Sequence, residues 1–88
     1  MDQNEQYQAL LTEIIAKQSV ILGPDIAILK ARNVASLKID DKGTVLEIND
    51  DPQLALKNLV NQYVELSGLI VKNALGSIFA KYPTIGME

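Results

Sequence analysis

The sequence predicts an α+β fold, mostly helical, with three helices arranged around one β-hairpin. Three observations carry this. Apolar residues recur at helical spacing near the start and again through most of the second half. Between them, from Ala35 to Asn49, the period changes to two. Aromatic residues are only 5% of the chain while apolar residues are 48%, so the core must be aliphatic.

The first helix is expected over about 4–21. Tyr7, Leu10, Leu11, Ile14 and Ile15 fall at i, i+3, i+4, i+7 and i+8, which is one helical face. Gly23 offers a permissive end, and Pro24 cannot continue the ladder. Pro24 and Asp25 in turn suit the first turn of a short helix over about 24–33. This helix is expected to turn Ile26, Leu29 and Val34 inward and to stop at a left-handed Asn33. A strand through Asp25–Leu29 competes; the helix formers Lys30, Ala31 and Arg32 favour the helix.

The hairpin is expected over about 35–49. Ala35, Leu37 and Ile39 alternate with Ser36, Lys38 and Asp40, and Thr44, Leu46 and Ile48 alternate with Val45, Glu47 and Asn49. Asp40-Asp41-Lys42-Gly43 joins the two runs, with the glycine free to take positive φ. An isolated hairpin is marginal in water, so the Leu37, Ile39, Leu46 and Ile48 side is expected to lie on helices. The last helix is expected over about 52–81, with Asp51 as N-cap and Pro52 as first residue. At 88 residues the whole chain, 1–88, reads as a single small domain, with 1–3 and 83–88 frayed.

Composition excludes much chemistry. There is no cysteine and no histidine, which removes thiol nucleophiles, imidazole bases, disulfides and Cys/His zinc sites. Ser19, Ser36, Ser67 and Ser77 have no motif around them, and no enzymatic function and no cofactor are expected. Asp40-Asp41 and Asp50-Asp51 lack the calcium-loop pattern and lie at opposite ends of the second strand, roughly 15–20 Å apart. Turn formation and helix capping account for them, so no metal site is expected. Gly23-Pro24 could present backbone N–H groups to an anion, but proline removes a donor and Asp25 opposes the charge.

The net charge of -3 disfavours a nucleic-acid partner, since no basic excess exists to neutralise phosphates. Lys30, Arg32 and Lys38 read as a solvated face, and Tyr7, Tyr63, Phe79 and Tyr82 are too sparse for a base-stacking platform. The polar start, Met1 to Gln6, does not resemble a signal peptide, and no uncharged apolar run approaches the ~18 residues of a membrane span. A cytoplasmic protein is expected.

The long helix is the most informative element. One stripe runs through Leu56, Leu59, Tyr63, Leu66 and Ile70, and a second through Val60, Val64, Val71, Ala74, Leu75 and Ile78. Only a narrow polar strip with Asn58, Gln62, Glu65 and Lys72 remains. A helix that caps a hairpin needs one stripe about 100° wide. The surplus suggests a small non-catalytic interaction or regulatory module, homodimeric through this helix or docked on a larger protein. The candidate interface is Leu66, Gly68, Ile70, Val71, Ala74, Leu75 and Ile78; Gly68 and Gly76 can admit a close backbone, either a partner's or that of the first helix, or mark a kink. The alternative is a domain holding a small apolar ligand between hairpin and helices, lined by Leu37, Ile39, Leu59, Tyr63 and Ile70.

Overall fold

Tyr7, Leu10, Leu11, Ile14 and Ile15 are all buried, and the stripe they make on the first helix is the floor on which everything else rests. A computed structural model describes residues 3–67 of the chain. In chain order these form α1 (Gln3–Leu22), α2 (Pro24–Arg32), β1 (Leu37–Ile39), β2 (Val45–Ile48) and α3 (Pro52–Ser67). The mostly helical α+β class read from the sequence is therefore correct. The stretch of the expected last helix after Ser67 lies outside the described residues.

One residue separates α1 from α2. The Gly23 N–H closes α1 on the Ser19 carbonyl at 3.0 Å, and the Gly23 carbonyl opens α2 by accepting from Ala27 N–H at 3.1 Å. Its φ of 91° and ψ of 144° lie where side-chain-bearing residues are strained. So short a link holds α2 hard against α1, its most extensive neighbour. Close helix approach favours small residues at the contact, and Ala27 and Ala31 are the fully buried members of α2. This corrects the sequence expectation: Ile26 is half-exposed and Leu29 is 64% exposed, while Val34 is buried as expected. Asn33 is also not left-handed. It stays in the right-handed region at φ -70°, and its N–H bonds Lys30 O at 3.1 Å, so α2 ends by tightening rather than by reversal.

The hairpin is antiparallel, with Leu37 opposite Ile48, Lys38 opposite Glu47 and Ile39 opposite Val45. Leu46 has no partner in this register; it is the extra residue of a β-bulge. The bulge corrects the expected alternation. Val45 turns into the core and Leu46 is 50% exposed, while Leu37 is buried and Ile39 and Ile48 are partly buried against the core. Asp40 builds the turn, its Oδ1 accepting from both Lys42 N–H and Thr44 N–H at 2.9 Å. These N–H groups, that of Thr44 foremost, hold the Asp40 carboxyl below its ordinary pKa. Gly43 has φ 87°, and a Cβ there would stand 2.9 Å from Ile15 Cγ2 on α1.

Side chains of α1 reach β2 directly. Thr12 Oγ1 donates to Gln8 O at 2.8 Å and accepts from Val45 N–H at 3.0 Å, while Gln8 Nε2 donates to Leu46 O at 3.2 Å. α3 begins as expected: Asp51 Oδ1 accepts from Gln53 N–H at 3.0 Å, and Pro52 is the first helical residue. Ala55, Leu56, Leu59 and Tyr63 bury its inner face. The Tyr63 hydroxyl donates to Ala27 O on α2 at 2.7 Å, and burial raises its phenol well above the ordinary value.

One buried residue breaks the apolar rule. Gln18 follows Ile14 by four and Leu11 by seven, so it continues the inward stripe of α1, and it is 0% exposed. Neither end of its carboxamide finds a hydrogen-bond partner among the described residues.

Candidate functional site

The segment leaving α2 makes a concave surface against α3. Val34 N–H bonds Ala31 O at 3.1 Å and Leu37 N–H bonds Val34 O at 3.0 Å, so successive tight turns carry the chain from α2 into β1. Val34 is buried and pins this segment, leaving Asn33 and Ala35 exposed. At the strand end, Asn49 N–H bonds Ser36 O at 2.7 Å and sets Asp50 beside the same surface. Across from it, Asn58, Asn61 and Gln62 stand at i, i+3 and i+4 on one face of α3.

The result is a polar groove of about 500 Å³. Four of the eight described residues lining it carry carboxamides, and Ser36 and Asp50 add a hydroxyl and a carboxylate. Val34 and Ala35 supply the apolar part, and among the described residues neither a cation nor an aromatic ring takes part in the lining. Asn33 Nδ2 donates to Gln62 Oε1 at 3.2 Å and bridges the two walls. Each of these two amides keeps further hydrogen-bonding capacity, because a carboxamide has two donors and an acceptor oxygen with two lone pairs. Chemically, the groove can offer side-by-side donors and acceptors to a neutral polar ligand. It has little to offer an anion.

In the sequence Asn58 and Gln62 stand out only as members of a polar strip, and nothing there marks a groove. The i, i+3, i+4 carboxamide row was visible in the sequence; the Asn33–Ser36 wall opposite it depends on a contact between residues 29 positions apart.

Of the expected interface residues, Leu66 is described and is 46% exposed; Gly68, Ile70, Val71, Ala74, Leu75 and Ile78 lie outside the described residues. Of the expected apolar-ligand lining, Leu37, Leu59 and Tyr63 belong to the packed core and Ile39 packs against it, with Ile70 outside the described residues. From the basic stretch, Arg32 pairs with Asp41 at 3.1 Å on the surface, a contact worth little in water. A second aliphatic surface lies where α1 meets α2: Val20 is 86% exposed, and Ile21, Ile26 and Leu29 are exposed beside it in sequence. Among the described residues no group of acidic side chains could hold a metal ion, and no helix is long and apolar enough to cross a membrane.

No family model, no curated protein and no solved structure matches this chain.

Proposed function

We propose that this chain is a non-catalytic interaction module that pairs with a second copy of itself along its last helix. The observation that carries the reading is Leu66. The stripe Leu56, Leu59 and Tyr63 is fully buried in the intrachain core, yet Leu66, the next member at helical spacing, is half-exposed. The apolar stripe of α3 thus outruns the core that the described residues supply. The sequence continues it with Ile70, and Val71, Ala74, Leu75 and Ile78 of the second apolar stripe follow. An isologous pairing of two such stripes would bury both. A cytoplasmic setting suits a chain that has no cysteine to oxidise.

Leu66→Asp tests this cleanly. Because Leu66 is not part of the closed core, a charge there leaves residues 3–67 folded while placing an unpaired carboxylate in the proposed seam. Native mass spectrometry and light scattering on the wild type should give twice 9.6 kDa, and the variant should give 9.6 kDa with an unchanged circular-dichroism spectrum. A wild type that stays monomeric at high concentration sinks the reading. So does a dimer that survives Leu66→Asp but is lost in Leu29→Asp, which would move the seam to the α1–α2 junction.

A further inference from the structure

We propose that the carboxamide groove between the Asn33–Ser36 segment and α3 binds a small neutral saccharide. This goes beyond the self-association reading and does not depend on it.

The first argument is local. Asn58 and Asn61 are exposed in the interior of a 16-residue helix, where asparagine is a poor helix former and lysine or glutamate would serve better. Two such residues, with Gln62 completing the same face, cost helix stability that nothing in the described packing returns. A ligand would return it.

The second argument is chemical. Vicinal hydroxyls each donate and accept, and they are spaced to chelate the paired oxygen and NH₂ of a carboxamide or the two oxygens of a carboxylate. The groove holds four carboxamides, one carboxylate and one hydroxyl, converging on about 500 Å³, within the ordinary range for small-molecule sites. Other ligand classes fit less well. An anion would meet Asp50 with no cation among the described lining residues to offset it. A nucleobase or aromatic ligand would find no ring to stack on among the described lining residues. An extended peptide needs apolar recesses for alternate side chains, and the described lining offers Val34 and Ala35 alone.

With no aromatic floor among the described residues to bury a sugar face, affinity rests on hydrogen bonds made in competition with water. Binding in the millimolar range is expected.

The experiment is a titration of the isotope-labelled full chain with glucose, galactose, mannose, N-acetylglucosamine and maltotriose, followed by backbone amide shifts. The expected result is a saturable shift for at least one sugar, confined to residues 33–36, 50 and 58–62. The double variant N58A/N61A should weaken it at least tenfold. Alanine is the better helix former, so that variant keeps its fold. Absence of any saturable response overturns the proposal. A response unchanged in the double variant also overturns it, as does saturation of the same residues by an acetylated, amidated tetra-alanine peptide but not by the sugars.

Discussion

Gln18→Met removes one buried polar group and changes little else. Both side chains are unbranched and flexible, of similar bulk and similar helix propensity, so packing, side-chain entropy and helix formation nearly cancel. What remains is hydration. Gln18 is 0% exposed and its amide is unbonded among the described residues, so folding strips it of water without replacement. That costs about 1–3 kcal/mol in proteins, a large share of the ~5–15 kcal/mol that stabilises an ordinary domain. The variant should therefore be more stable by about that amount and should melt roughly 5–20 °C higher. Urea denaturation is the assay, with the midpoint rising and the slope unchanged. A control sharpens it: in Gln18→Glu the buried carboxyl has its pKa raised above the unfolded value of about 4.3. Stability of that variant must fall as pH rises past that value, because folding opposes the charge. If Gln18→Met lowers the midpoint, the amide is hydrogen-bonded in solution and the reasoning fails.

The two positive-φ glycines should respond differently to alanine. Gly23→Ala meets only backbone strain, about 1–2 kcal/mol, whereas Gly43→Ala also drives a Cβ to 2.9 Å from Ile15 Cγ2 and should cost at least about 1 kcal/mol more; equal midpoints would contradict this. Asp51→Ala should cost about 1 kcal/mol through the lost cap on Gln53 N–H, and an unchanged denaturation midpoint would mean that the cap contributes nothing. Asp40 has a depressed folded pKa, so its contribution is present above the unfolded value of about 3.9 and disappears as pH falls through the folded one. Asp40→Asn should flatten the acid limb of a stability–pH curve, and an unaltered limb would show that the turn does not feel the charge.

The elements were legible in the sequence because each carries a local signal: the Tyr7-to-Ile15 stripe, the Asp-Gly turn, and Asp51-Pro52 before a helical run. What escaped was set by contacts between elements. Leu46 and Val45 exchanged faces because β2 holds one more residue than β1 can pair, and strict alternation cannot register an insertion. Ile26 and Leu29 gave way to Ala27 and Ala31 because the one-residue link to α1 and the Tyr63 contact from α3 decide which face of α2 turns inward, and periodicity within α2 does not carry that. Gln18 was hidden by its own polarity, although its spacing from Leu11 and Ile14 matched the stripe. The groove was half legible, since Asn58, Asn61 and Gln62 are one helical face, but its other wall arrives only when Val34 is buried.

Thr12 and Gln8 have a consequence for how copies of this chain behave when crowded. A strand at the border of a small sheet normally presents free N–H and C=O groups, a template on which a neighbour's strand can grow into an aggregate. Here the Val45 N–H is held by the Thr12 hydroxyl and the Leu46 carbonyl by the Gln8 amide. Two side chains of a helix thus take the place of a third strand, and the bulge at Leu46 bends the same border away from straight pairing. A two-stranded sheet is protected in this way on the side of β2, so association through aliphatic helix surface need not bring fibril growth with it.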